Sequence, residues 1–276
     1  MHMPPPPTNI PDTDLRRYLE FAHALADATA PILLEHFRRP LEVRDKGDGT
    51  RYDPVTAADQ AVESLIRARI ETEFPDHGIA GEEFADRRGA SPLQWIIDPI
   101  DGTQAFISGL PVWGTLIGLC LDGRPIAGLM NQPFVGERFV GSRLGAELHA
   151  GGRVMALRTG RCPRLADASL FATTPAMFDA PGEWPAFARV SGRCRHTRYG
   201  ADCYAYCLLA AGLVDLVIES SINFHDVAAL VPIIEHAGGI VSDWRGAPAT
   251  GGRQVIAACT LEVHAEALEL LASAAA

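Results

Sequence analysis

Two aspartates stand three residues apart in the stretch WIIDPIDGTQAF (95–106), directly after an apolar run. Asp98 and Asp101 have acidic company. Glu82 follows the short apolar pair Ile79-Ala80, and Asp226 opens a helical pattern. Each has an ordinary explanation: a turn before Pro99 for Asp98, a cap for Asp101, an N-cap for Asp226. Together they raise a charge problem, because two carboxylates about 4 Å apart repel by roughly 4 kcal/mol at an effective dielectric near 20. If the fold brings them together, it needs protons or a cation. Hard oxygen donors without accompanying His or Cys suit magnesium, manganese or calcium rather than zinc. No EF-hand loop is present to argue for calcium buffering.

The residues after Asp101 suggest what such a cation would meet. Gly102 lets a ligand approach the backbone closely, and Thr103 heads a short helical pattern whose free N–H groups suit phosphate. Metal beside phosphate implies phosphoryl chemistry, in which metals polarise phosphate oxygens and activate water. No Ser-His-Asp or Cys-His arrangement competes for the role, so direct attack by water is expected, with no covalent intermediate. Thr56-x-x-Asp59 has the capping-box form. Its functional alternative is that Asp59 orients the Thr103 hydroxyl, which orients the attacking water.

Positioning these groups requires a framework, and the periodicities supply one. Leu15, Leu19, Ala22, Ala26 and Leu33 recur at helical spacing over 14–38, with Pro31 as a candidate kink. The polar segment RDKGDGTRYDP reads as a loop or hairpin, and Thr56 opens a second helix to about Phe74. Strand-like runs follow at 95–98, 114–121, 125–131 and 138–140, with Asp122-Gly123 as a hairpin turn and GSRLGAELHAGGR as a further strand pair. Beyond about residue 152 strands (169–173, 215–219, 240–243, 255–258) alternate with helices (202–212, 226–237, 261–272). Gly238-Gly239 closes the helix that starts at Asp226. The chain therefore reads as mixed α and β: a tail over 1–13, an α+β half over 14–150 with most of the acids, and an α/β half over 151–276 with Asp226.

Composition limits the function classes. The 276 residues are 47% hydrophobic and carry a formal net charge of −10, with no basic block. Nucleic acid and anionic membrane are disfavoured as partners, since both call for clustered Lys and Arg. A local site or bound metal still admits a small anionic substrate. The six cysteines form no CxxC pair, and MHMPPPPTNIPDTD lacks the apolar core of a secretory signal, so a cytoplasmic location is expected.

The segments PVTAADQAVE (54–63), GEE (81–83), WIIDPIDGT (95–103) and HDVAALVPIIEHAGG (225–239), in this order and spacing, resemble the inositol monophosphatase superfamily of lithium-sensitive, magnesium-dependent phosphatases. The resemblance spans about residues 15–270. It implies a layered αβαβα fold of the α+β class and usually a homodimer. It also implies two to three Mg2+, with Mn2+ as a substitute. Glu82, Asp98 and the Ile100 carbonyl would hold one, Asp98, Asp101 and Asp226 a second, and Glu82 a weaker third through water. Thr103 and Asp59 would position the nucleophilic water, and the Gly102 and Thr103 backbone would cradle phosphate.

Within that superfamily, FISGLPVWGTLIGL (106–119), TRYGADCYAYCLLAAGLVDLVIE (197–219) and VAALVPIIE (227–235) are most similar to the histidinol-phosphate phosphatase branch. Asp202 and Glu219 are acidic where the organic part of the substrate would lie, which suits an ammonium or imidazole. Their ordinary readings are an N-cap and a solvated strand end. Gln104 departs from the Arg or Lys more usual in that branch, and SSINFH (220–225) departs from its usual approach to the Asp226 position. His225 could touch substrate, although a lone His beside a ligand is more often a packing residue.

Overall fold

The computed structural model describes residues 10–40, 42–46 and 54–276. Its first layer is a helical pair. Helix α1 (Asp12–His36) runs unbroken through Pro31 and buries Leu15, Ala22, Leu25, Ala26 and Leu33. It starts two residues earlier than its periodicity suggested, and Ile10 packs on the same core. Arg143 pairs with Asp12, so the part of the expected tail that is described is held in place; the proline run lies outside the described residues. The strands β1 (Val43–Asp45) and β2 (Pro54–Thr56) pair antiparallel as the two arms of the expected hairpin. Its intervening residues 47–53 also lie outside the description. Helix α2 (Ala57–Glu73) follows from the Thr56 cap.

These helices cover one face of a seven-stranded sheet. Its strands are β3 (Gly78–Gly81), β4 (Leu93–Asp101), then, after helix α3 (Thr103–Ile107), β5 (Gly114–Leu121), β6 (Arg124–Gln132), β7 (Glu137–Ser142), β8 (Gly145–Ala150) and β9 (Arg153–Ala156). Only β3 and β4 run parallel; the rest form an antiparallel meander. The Asp122-Gly123 turn has positive φ at both residues (49° and 76°), as a tight hairpin between right-twisted strands needs.

A second sheet mixes parallel and antiparallel pairs. It is built from β10 (Ser169–Ala172), β11 (His196–Tyr199), β12 (Leu216–Ile222), β13 (Ile240–Ser242) and β14 (Arg253–Ala258), in the order β11-β10-β12-β14-β13. Its outer face packs on α4 (Glu183–Ser191) and α8 (Leu261–Leu271). Between the sheets lie α5 (Asp202–Ala210), α6 (Phe224–Ala228) and α7 (Leu230–Ala237). The result is the expected αβαβα layering, with three large apolar cores and a small fourth one around Ile96, Cys120 and Ala228. Among the described residues no helix is long and apolar enough to cross a membrane.

Two details of the middle layer govern how Asp226 is placed. The single helix expected over 226–237 is two, broken at Ala229. Pro232 has no N–H to reach the Ala228 carbonyl, so one rung of the ladder is missing there while Ala229 keeps helical angles (φ −72°, ψ −29°). The junction also lies close against the large sheet. Gly118, Gly128 and Gly141 are paired across β5, β6 and β7 and form a row without side chains. A Cβ on Gly128 would fall 1.8 Å from the Ala229 carbonyl oxygen, and one on Gly141 would fall 2.3 Å from the Ile233 Cα. This groove seats α6 and α7 at backbone contact distance.

Candidate active site

The acids converge because the strand register brings them together. In the parallel pair β3–β4, Gly81 lies opposite Ile97, so Glu82 and Asp98 emerge side by side at the carboxyl ends of the two strands. The β4–β5 register then shifts between Asp98 and Asp101, turning the end of β4 toward the middle layer. Asp226 arrives from the other sheet on α6. One carboxylate oxygen each from Asp98, Asp101 and Asp226 lies within 4.8 Å of the others.

The ordinary roles and the cluster coexist, since a carboxylate has two oxygens. Asp98 Oδ1 accepts the Ile100 N–H at 3.0 Å. Asp101 caps a distant helix rather than its own: its Oδ2 accepts the Cys203 N–H of α5 at 2.8 Å. Asp226 Oδ2 closes a capping box by accepting the Asn223 N–H at 2.7 Å. Asp59 Oδ2 accepts both the N–H (2.8 Å) and the hydroxyl (2.6 Å) of Thr56, while its Oδ1 is buried with no partner. The expected bond from Thr103 to Asp59 is not formed. Thr103 Oγ1 donates to the Ile100 carbonyl at 3.0 Å, the same oxygen that the resemblance assigns to a metal.

Burial makes this charge density acute. Asp98 is 2% exposed and its carboxyl is held far above the usual range, first by burial, then by Glu82, Asp101 and Asp226. Burial also raises Asp101, with Asp226 and Asp202 adding to it. Asp226 is raised by burial and partly relieved by His225. A cation is already drawn to the edge of the cluster, where Lys46 Nζ sits 2.8 Å from Glu82 Oε1 and 2.6 Å from Glu83 Oε1. Mutually repelling oxygen donors, Asp98 buried and the others half-buried, with an ammonium at their rim fit divalent cations.

The cluster is one end of an open cleft of about 700 Å³ that also contains Gly102, Thr103, Gln104, Asp202, Glu219 and His225. Asp202 is no N-cap: Ala201 takes that position, and the side-chain cap of α5 comes from Asp101 instead. Its φ of +44° is unusual for a residue with a side chain, and burial lifts its carboxyl to about 6. Glu219, 5% exposed, is not at a solvated strand end. It accepts from Thr173 N–H (3.1 Å), Thr173 Oγ1 (2.5 Å) and Tyr206 OH (2.9 Å), leaving a lone-pair position on Oε2. Burial still raises it to about 7.

Sequence reasoning missed three contributors. Glu63, fully buried, accepts the Glu83 N–H at 2.7 Å and pairs with Arg67 at 2.7 Å, anchoring the segment that presents Glu82. The signal was its position four residues after Asp59 on the buried face of α2. Thr173 and Tyr206, which hold Glu219, come from elements that only the fold brings together. The expectation that no histidine accompanies the acids also fails: a ring nitrogen of His225 lies within 4.8 Å of carboxylate oxygens of Glu82 and Asp98.

The profile of the inositol monophosphatase family matches residues 14–276. The chloroplastic bifunctional phosphatase IMPL2 of Arabidopsis thaliana is 41% identical over 96% of this chain and 78% of its own. The histidinol-phosphatase of Chlorobaculum parvum is 35% identical over 83% of this chain and 86% of its own. Among solved structures, an inositol monophosphatase from Zymomonas mobilis is 42% identical and superposes with a TM-score of 0.82, covering 93% of this chain and 98% of that one. Acid cluster, layered fold and kinship agree: the chain belongs to the inositol monophosphatase family, metal-dependent hydrolases of small phosphate monoesters.

Proposed function

We propose that this phosphatase is magnesium-dependent and hydrolyses L-histidinol phosphate to L-histidinol and phosphate, a step of histidine biosynthesis. The observation that carries the reading is Asp202. It is a half-buried carboxylate without a capping role, fixed at positive φ beside Gly102, in the cleft that holds the acid cluster. A half-buried carboxylate facing the organic part of a substrate favours a cation there, and histidinol phosphate carries an ammonium and an imidazole. Glu219 adds a second acidic wall with one acceptor position spare.

Bound magnesium would supply Lewis-acid polarisation of the phosphoryl oxygens and would acidify water. Glu82, Asp98, Asp101, Asp226 and the Ile100 carbonyl would hold it. The chain's own groups do the rest. The Gly102 and Thr103 N–H groups orient the phosphate, with Gly102 at φ +81° where a side chain would meet Asp202. The Thr103 hydroxyl releases the Ile100 carbonyl and turns to the attacking water. The free Oδ1 of buried Asp59, raised to about 6 by burial, is an acceptor for that proton network.

The second reading is an inositol-1-phosphate or broad sugar-phosphate phosphatase. It draws on the likeness to the Zymomonas enzyme and on uncharged Gln104 in the cleft. Phosphate release from L-histidinol phosphate and inositol 1-phosphate under saturating magnesium separates the two. A higher kcat/KM for histidinol phosphate is expected, and a strong preference for the inositol ester would overturn the proposal.

A further inference from the structure

We propose that His225 turns the Glu82–Asp98 side of the cluster into a mixed nitrogen–oxygen centre. This centre prefers a first-row transition dication such as Mn2+, Co2+ or Zn2+, while the all-oxygen Asp98–Asp101–Asp226 side is left to magnesium. The inference rests on reading the acid cluster as the metal site, and it concerns which ion each side takes.

The geometry comes first. Glu82, Asp98 and His225 each offer one ligand atom, all within 4.8 Å of one another. Metal bonds of about 2.0–2.2 Å at angles of about 90–110° place ligand atoms roughly 3.0–3.6 Å apart, so closing the set takes up to about 1–2 Å of side-chain adjustment. The backbone beneath His225 is fixed, because α6 follows the Asn223–Asp226 capping box and its junction with α7 sits in the glycine groove. The ring itself is steadied by Nε2 lying 3.2 Å from Asp226 Oδ1, and only 20% of the side chain is exposed. Lys46, now on Glu82 and Glu83, would give up Glu82 and keep Glu83.

The chemistry gives the selectivity. Magnesium is hard, holds its water and takes oxygen, whereas imidazole suits manganese, cobalt and zinc increasingly along the Irving–Williams order. A neutral imidazole brings a donor without adding negative charge to a site already crowded with carboxylates.

The test uses the tag-free full chain and Mn2+ as probe, read by pulsed electron paramagnetic resonance for coupling to 14N, with calorimetry of Mn2+ and Mg2+. Wild type is expected to show nitrogen coupling that His225→Phe and His225→Asn both lack. Mn2+ affinity should fall by about tenfold or more in both variants, with Mg2+ affinity changed far less. Circular dichroism confirms that the variants are folded. Mn2+ bound to wild type without nitrogen coupling would overturn the inference and leave the acid cluster standing as a metal site. Equal losses for Mn2+ and Mg2+ would also overturn it, assigning His225 to positioning Asp226. No dication binding by wild type would overturn the metal site itself.

Discussion

Replacing Gly128 with alanine tests how closely the helix that carries Asp226 must lie on the large sheet. The new Cβ would be 1.8 Å from the Ala229 carbonyl oxygen and 2.6 Å from its carbon. Carbon and carbonyl oxygen come no closer than about 3.3 Å, so the α6–α7 junction must withdraw by roughly 1.5 Å. Asp226 is three residues from that junction. Since a displacement of about 1 Å can cost 10²-fold in rate, kcat should fall about 10²-fold on every substrate. Overpacking of this kind costs about 1–3 kcal/mol, which for a chain of this size lowers Tm by roughly 5 °C. The rise in Tm on adding magnesium should shrink as well, because one ligand has moved. Gly118→Ala serves as the graded control, its Cβ meeting the Ala229 nitrogen at 3.2 Å, and should cost under about threefold in kcat. The measurements are steady-state kinetics at saturating magnesium and thermal unfolding with and without metal. A Gly128→Ala protein with the expected fall in Tm but wild-type kcat and metal response would refute the link between groove and ligand.

Asp98→Asn should lose nearly all turnover while the metal-free protein unfolds at the same or a higher temperature, because a buried like charge is removed; unchanged turnover would take Asp98 out of the mechanism. Asp202→Ala should raise KM for a cationic phosphate ester more than it lowers kcat, and an equal effect on a neutral ester would count against cation recognition. Asp202 also predicts a pH signature in metal-free protein. Its folded value of about 6 lies above the unfolded 3.8, so wild type holds a proton that the unfolded chain has released, and its contribution to stability declines as pH rises across that interval. Asp202→Asn should therefore gain in Tm over wild type between those pH values and stay ahead above them. A gap that closes as pH rises would show the opposite sign.

Much of this site was legible because its residues sit at element ends with short-range signals. Thr56-x-x-Asp59 capped α2 as its spacing indicated, and the strand that WIID announced runs through Asp98 to end at Asp101. What spacing could not show is where the second oxygen of each carboxylate goes. Asp101 reaches across to Cys203, and Glu219 is gripped by Thr173 and Tyr206, contacts fixed by sheet order rather than by neighbours in sequence. The missed elements have similar causes. β11 is a four-residue edge strand with mostly exposed polar side chains, and α4 starts at a left-handed Gly182 with Pro185 in its first turn. The break at Ala229 was within reach, since Pro232 was visible, but the apolar run around it masked the signal.

The bond from Asp101 to the Cys203 N–H joins two functions that are easily thought of as separable. The peptide it holds is the one that follows Asp202, so the wall proposed to meet the organic half of a substrate hangs from an acid of the proposed metal end. A change of diet by exchange of the α5 segment would then carry a toll at the reaction centre, and loss of metal would loosen selectivity along with rate. Retuning such an enzyme calls for substitutions across the cleft, at Gln104 or around Thr173, where no metal-side carboxylate is tethered to the part being changed.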